Sequence, residues 1–367
     1  MNIRIAWLIF CSLLLMGCAS ELKPSAVEDV ALVSLIGIDY VDEENMSVTL
    51  AIPQFSSSTE QTNQIYTTQA GMIKEAIVDL SSQADKEIKL NGLRVVLFNE
   101  EFATSGKMWE VVEHLYRNPV IGGNVFVVIV KDTAEGLLSG DYPDKPSIVT
   151  YMNALLKPKP HIMFSPFTTI HNFMYAHSNP VVDIIVPYLE HKEGIVELSG
   201  IALFKHDKME EVYSREEGQI VQMLSGAKKI PAATIPLSSN GEEREQVVID
   251  FLKTKVDYSS NKDVHHPVLD ITLKLKGSIY EYRGEKDLSK RSDYSKLEEE
   301  VRKFTEEQVE GVIDDLKEKG IDPIGLTENF RMHHHGEWTE EMNQQVLENL
   351  EYNLKVEMQI LATGTLR

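Results

Sequence analysis

The sequence predicts an α+β protein of three successive units: a mixed-sheet domain, a small middle domain, and an antiparallel sheet packed by a long helix. Two patterns carry this prediction. In the first half of the chain, short apolar runs typical of buried strands are mixed with runs of helical period. Near the end, two long stretches with a period of two residues flank one long stretch of helical period. A chain of 367 residues is long enough for two or three domains.

The first unit, residues 29–190, is predicted to mix strands with helices. Residues 46–54 have the clearest period of two, because Met46, Val48 and Leu50 alternate with small or polar residues; this predicts one buried and one exposed face. Residues 56–64 have no period and are predicted to form a loop. The predicted strands are 31–40, 46–54, 93–98, 125–131 and 181–190. The predicted helices lie at 73–80, 109–116, 151–156 and 168–177.

The middle unit, residues 191–238, is predicted to be small. Its main feature is a hairpin over residues 200–214 that turns at His206-Asp207-Lys208. A short helix ending at Gly226 and a strand over residues 232–237 follow. The next stretch is polar and contains glycine, which is typical of a joint between domains.

The last unit, residues 239–367, is predicted to be an antiparallel sheet covered by one long helix. Ser295 and Glu298 have the spacing of a capping box at the start of the helix. Gly320 stands where a helix commonly ends on glycine. The predicted strands and helix are 270–277, 352–360 and 295–319.

The first seventeen residues are predicted to be a secretory signal peptide. The apolar run from Ile5 to Met16 would rise about 18 Å as a helix, which is short of a hydrocarbon core about 30 Å thick. It follows the positive charge of Arg4, as the apolar part of a signal peptide does. No later run reaches eighteen apolar residues, so no further membrane span is predicted.

The stretch Leu15-Met16-Gly17-Cys18 resembles the lipobox of bacterial lipoproteins. The resemblance implies that Cys18 receives a diacylglycerol thioether, that the chain is cut before it, and that Cys11 leaves with the signal peptide. Residues 18–28 would then be a lipidated tether, and no thiol would remain for a disulfide. The alternative is an ordinary signal peptide that is cut at a small residue, with Cys18 incidental.

The net charge of −21 bears on the partners of the protein. It argues against nucleic acid as a partner, because the protein offers no excess of cations to neutralise phosphates. It also argues against peripheral binding to anionic lipid, so the predicted anchor has to hold the protein at the membrane.

No group of residues predicts an active site, a cofactor or a metal. The strongest candidate is RMHHHGEW at residues 331–338. Its adjacent histidines do not match the i, i+4 spacing of zinc-binding helices, so an exposed polar loop is predicted instead. The chain also has no glycine-rich phosphate loop and no G-x-S-x-G motif. It is therefore predicted not to be an enzyme.

Five short stretches, in order along the chain, resemble the Ger(x)C family of spore germination lipoproteins, the C subunits of nutrient germinant receptors. In this family a strand with glycine, alanine, phenylalanine and lysine leads into a turn, and an Asp-Pro-x-Gly-x-Gly turn follows a long helix. Here Ala19-Ser20 replaces a common tryptophan-aspartate pair, and Thr327 stands at the second glycine. The five stretches are ALVSLIGID (31–39), QAGMIKEAIVDL (69–80), NGLRVVLFNEEFATSG (91–106), LSGIALFKHDKM (198–209) and KGIDPIGLTENFR (319–331).

The resemblance implies a three-domain α+β body, anchored by lipid to the outer face of the spore inner membrane. It implies partners, namely the integral-membrane A and B receptor subunits, and a non-enzymatic role in the response to nutrients. Only the lipidation of Cys18 is carried over as a residue role. The alternative is a lipid-anchored solute-binding protein of an importer. Such proteins usually have two similar lobes, and the unequal units predicted here favour the receptor subunit.

Overall fold

A computed structural model describes residues 30–54, 62–159, 164–237 and 245–361. The described residues form an eight-stranded sheet, a four-stranded sheet and a two-stranded parallel ribbon. The protein is therefore α+β, as the sequence predicts. The signal peptide and the tether at residues 1–28 lie outside the described residues.

The strands, numbered in chain order, are β1 Val30–Leu32, β2 Leu35–Tyr40, β3 Met46–Gln54, β4 Thr62–Ala70, β5 Glu87–Lys89, β6 Val95–Asn99, β7 Phe126–Val130, β8 Ile185–Lys192, β9 Ile195–Lys205, β10 Lys208–Ser214, β11 Ala233–Pro236, β12 Gln246–Ser260, β13 Val268–Arg283 and β14 Glu351–Leu361. The helices of the described residues are α1 Ile73–Ser81, α2 Glu100–Thr104, α3 Met108–Arg117, α4 Ala134–Ser139, α5 Ile148–Leu156, α6 Ile170–His177, α7 Arg215–Leu224, α8 Arg291–Lys319, α9 Glu328–Arg331 and α10 Glu340–Glu348.

The eight-stranded sheet has the order β10-β9-β8-β7-β6-β2-β3-β4. Its four central strands, β2, β6, β7 and β8, are parallel, and the outer strands are antiparallel. Helices α1, α2, α3 and α6 cover one face, and α4 and α5 cover the other. Because both faces are covered, the sequence-based assignment of an exposed face to β3 is wrong: Ser47, Thr49 and Ala51 are buried as well.

The strands of residues 191–238 pair into both large sheets. The predicted hairpin is confirmed, and β9 and β10 continue the eight-stranded sheet beyond β8. β11 pairs instead with β12 of the four-stranded sheet, and α7 packs beside both. This segment therefore joins the two sheets, while its standing as a separate domain stays a prediction.

The four-stranded sheet has the order β11-β12-β13-β14 and is mixed. The prediction of an antiparallel sheet is wrong for its last pair, because β14 runs parallel to β13 over eleven residue pairs. The physical reason is the connection: α8, with 29 residues, spans about 43 Å and carries the chain back to the starting end of β13. Its apolar stripe packs on the inner side of the sheet, as predicted.

The ends of α8 confirm one prediction and overturn another. Gly320 ends the helix with a left-handed φ of 65°, which a residue without a Cβ adopts at no steric cost. The helix begins at Arg291, however, so Ser295 lies inside it and no capping box forms with Glu298. The preceding Lys290 has no side-chain capping hydrogen bond.

Replacing Gly311 by alanine should stabilise the protein. Gly311 is exposed in the middle of α8, and a Cβ added there would meet no atom within 4 Å. Alanine in an open helix interior is better than glycine by about 0.5–1 kcal/mol, so the free energy of unfolding in urea should rise by that amount. Gly277→Ala is the control, because its Cβ would lie 2.6 Å from Cγ2 of Ile249. It should destabilise, and similar shifts for both variants would contradict this packing.

Candidate functional site

The site residues predicted from sequence, Leu15, Met16, Gly17 and Cys18, lie outside the described residues. The lipobox and the lipid therefore stay predictions. Within the described ranges, no helix is both long and apolar enough to cross a membrane.

The histidine-rich stretch lies in a turn after α9. His333 and His335 are exposed, and Nδ1 of His333 lies 2.8 Å from the carbonyl oxygen of Asn329. The ring of His334 packs edge-on against Trp338, with ring centroids 5.7 Å apart. In the part of the chain that the structure describes, no three His, Cys, Asp or Glu side chains are grouped as metal ligands.

Two of the family-like stretches, 198–209 and 319–331, meet where the eight-stranded sheet contacts the end of α8. Lys205, the last residue of β9, donates from Nζ to the carbonyl oxygen of Gly320 and to Oε1 of Gln344 on α10. Its Nζ also lies 3.9 Å from Oδ2 of Asp183. A cation at the carbonyl end of a helix interacts favourably with the helix dipole. Lys205 therefore ties the sheet to both α8 and α10.

Asp322 organises the turn between α8 and α9. Its carboxylate is fully buried and accepts hydrogen bonds from the backbone N–H groups of Gly325, Leu326 and Thr327, at 2.7, 2.9 and 3.1 Å. Gly325 has a φ of 82°, so the tight turn needs glycine at this position. The carboxylate replaces the hydrogen bonds that these N–H groups would otherwise lose on burial.

The same turn is clasped to the eight-stranded sheet through Asp183, which precedes β8. The N–H of Asp322 donates to Oδ2 of Asp183 at 2.7 Å, and the N–H of Asp183 donates to the carbonyl oxygen of Asp322 at 3.0 Å. Thr327 extends this network to α10, because its hydroxyl donates to Oδ1 of Asn343 at 2.6 Å. The indole N–H of Trp338 donates to the same oxygen at 3.2 Å.

A polar cleft of about 160 Å³ borders this network. His206 and Glu340 pair across it, with Nε2 and Oε1 2.9 Å apart. Deeper in, Lys205 and Asp183 are already engaged by backbone and side-chain partners. Because its inner groups are paired with each other, the cleft has the chemistry of a joint between the two sheets and not that of an active site. We call this network the sheet junction: Asp183, Lys205, Asp322, Thr327 and Asn343.

The sequence carried part of the signal for the sheet junction. Lys205 and Asp322 lie within stretches that resemble the family, although the resemblance assigned neither a role. Asp183 is not recognisable from the sequence, because its partner Asp322 lies 139 residues further along the chain. Asn343 is not recognisable either, because its role rests on a side-chain hydrogen bond with Thr327.

The stability of the sheet junction should depend on pH. Burial raises the pKa of Asp322 to about 6, from an ordinary value of 3.8. Between pH 4 and 6 the folded state then binds more protons than the unfolded state, so this group's contribution to stability falls as pH rises. One pKa unit corresponds to about 1.4 kcal/mol, so the loss is on the order of a few kcal/mol.

Asp322→Asn removes this titration, although its NH₂ group cannot accept the hydrogen bond from Thr327. In urea unfolding, the wild type should be more stable than the variant at pH 4, and this advantage should shrink towards pH 7. An advantage that grows with pH would contradict the assignment. Burial also raises the pKa of the neighbouring Asp183 carboxyl. Asp183→Asn is therefore the control that separates its pH dependence from that of Asp322.

Comparisons with known proteins give the family. The model for the N-terminal domain of spore germination proteins matches residues 24–191, and the model described as spore germination B3/GerAC-like, C-terminal, matches residues 199–364. The spore germination protein GerQC of Bacillus cereus is 26% identical over 360 residues, which is 98% of this chain and 98% of that protein. The crystal structure of the GerBC protein has a TM-score of 0.59 at 16% identity, and the match covers 89% of this chain and 96% of that one.

Proposed function

The chain belongs to the GerAC family of spore germination proteins, and from this premise we propose that it is the lipid-anchored C subunit of a nutrient germinant receptor. The observation that carries the proposal is the match of both family models, in order, over most of the chain. The relative GerQC is similar over nearly its whole length, and GerBC shares the fold. The proposed place of action is the outer face of the spore inner membrane.

The proposed anchor is a diacylglycerol thioether on Cys18. Each buried CH₂ group contributes roughly 0.8 kcal/mol, so two acyl chains hold a protein stably at a bilayer where one chain holds it only marginally. The eleven residues from Cys18 to Glu28 can extend at most about 40 Å. The folded body would therefore stay close to the membrane surface, within reach of membrane partners.

The proposed role is non-enzymatic and depends on contacts with the integral-membrane A and B subunits. Confinement to a surface raises effective concentration without any new contact, so weak interfaces suffice there. The sheet junction supports such a role, because its buried hydrogen bonds fix the eight-stranded sheet against α8 and α10. A partner then meets one rigid surface instead of two independent units.

Purification from spore membranes tests the proposed partners. The tagged chain is extracted in mild detergent and the co-purifying proteins are identified by mass spectrometry. The proposal predicts a multi-span transporter-like protein and a second membrane subunit, both encoded beside this gene. Recovery of the permease and ATPase of an importer would instead support the solute-binding alternative.

A further inference from the structure

Strand β4 is the outermost strand at one end of the eight-stranded sheet. It pairs antiparallel with β3 along all nine of its residues, from Thr62 to Ala70. Within the described residues, no strand pairs with its other side. Alternate N–H and C=O groups of β4 therefore point away from the sheet, as at any edge strand.

The other outer edges of the two large sheets are protected against pairing with another chain. β10 carries Lys208 and Glu211 and is interrupted by a bulge. β11 has only four residues and ends at Pro236. β14 carries Lys355 and Glu357. Charges, bulges, proline and short length are the usual protections of edge strands, and β4, with the sequence TNQIYTTQA, has none of them.

Both faces of β4 pack against the core, so a partner can pair only with its outer edge. Ile65 packs against the core on one side of the sheet, and Tyr66 packs against the core on the other side. An added strand would pair with the outward-pointing N–H and C=O groups of β4.

We infer that β4 pairs antiparallel with β4 of a second copy of this chain, about a two-fold axis. In a two-fold pair, β4 of one copy lies against β4 of the other copy. Any charged residue in the strand would therefore lie close to the same charge in the partner strand. The chain as a whole carries a charge of −21, yet nine consecutive residues of β4 carry none. Opposed Thr, Asn and Gln side chains can also hydrogen-bond across the axis.

The pairing is weak in dilute solution. Nine residues of one edge contribute a smaller surface than the roughly 1,200–2,000 Å² of a stable interface. Two copies confined to one membrane meet at a far higher effective concentration. The inference thus deepens the proposed function, on whose lipid anchor the surface confinement rests.

Cysteine cross-linking in host membranes tests the pairing. Single cysteines replace residues 63 to 69 one at a time in the full chain, and the membranes are oxidised. A disulfide-linked dimer should form at one or two adjacent positions and decline on both sides, since each step along the strand separates identical positions by about 7 Å more. Val78→Cys is the control, because Val78 is 57% exposed but lies on α1, outside the strand that is proposed to pair.

Two further experiments distinguish failure of the proposed pairing from failure of the lipid anchor. Thr68→Lys, added to the best cross-linking variant, should reduce the dimer several-fold. The parent without added cysteine should form no dimer. If it does, a native cysteine is free and the anchor has failed, so the scan is repeated at high concentration with protein that carries both Cys11→Ala and Cys18→Ala. A uniform absence of dimer along β4, equal dimer at Val78→Cys, or cross-links only to another protein would overturn the inference.

Discussion

Replacing Cys18 by alanine is expected to move the protein from the membrane fraction to the soluble fraction. The predicted lipobox makes Cys18 the attachment point of the lipid, and no helix of the described residues is long and apolar enough to span a membrane. With a charge of −21 the body is also repelled by anionic lipid. Labelling with a clickable fatty acid should disappear together with membrane attachment.

The matched control is Cys11→Ala, which alters the only other cysteine of the chain. It should leave labelling and membrane attachment unchanged, because residue 11 is removed with the signal peptide. Retention of the Cys18→Ala variant at the membrane, together with release of the Cys11→Ala variant, would show that the lipobox is assigned to the wrong cysteine.

Replacing Val301 by aspartate is expected to unfold the C-terminal sheet and its helix, or to make the protein aggregate. Val301 is fully buried on the inner side of α8, against the four-stranded sheet. An aspartate there would be buried in the apolar core, and burying an unpaired charge costs several kcal/mol, comparable to the whole stability of many domains. Circular dichroism during heating measures the loss.

Glu307→Asp is the control for this variant, because it places the same side chain on the exposed side of the same helix. Its free energy of unfolding should change by less than about 0.5 kcal/mol. Similar melting temperatures for the two variants would mean that α8 presents a different face to the sheet.

The sequence predicted the elements with a strong local pattern. The strand predicted over residues 46–54 has the bounds of β3, although its predicted exposed face is buried, and the hairpin turns between Lys205 and Lys208 as expected. The helical period also placed α1 and most of α8 correctly. One detail departs from the helical period: Tyr116 shares this period with Val112 and Leu115, yet it is 43% exposed. Phe304 packs against the core, as the period of α8 implies, but it is only half-buried and borders a cavity of about 100 Å³.

Two strands lacked a usable pattern. β4 is polar, and its amide and hydroxyl side chains give no period, so its first residues, 62–64, fall within the predicted loop 56–64. The strand is recognisable only from its pairing with β3. β12 was not predicted because register shifts after Val248 and Phe251 change which residues face the core. The parallel direction of β14 depends on where α8 returns the chain, which no local pattern encodes.

The sheet junction was unpredictable for the same reason. Asp183 and Asp322 exchange backbone and side-chain hydrogen bonds across 139 positions of the chain. Buried carboxylates of this kind look in a sequence like any other surface aspartate. The family resemblance marked Asp322 as part of a motif, and the structure supplies the physical reason: its carboxylate holds the turn that fixes α10.

Spores that lack the gene for this chain give the most direct test of its role in nutrient-triggered germination. The deletion is made in a strain without other related receptors, and the fall in optical density is followed after each of a panel of nutrients. The account predicts loss of the response to one set of nutrients, recovery on complementation, and a normal response to a trigger that bypasses nutrient receptors. Germination of the deletion spores like their parent, with every nutrient, would contradict it.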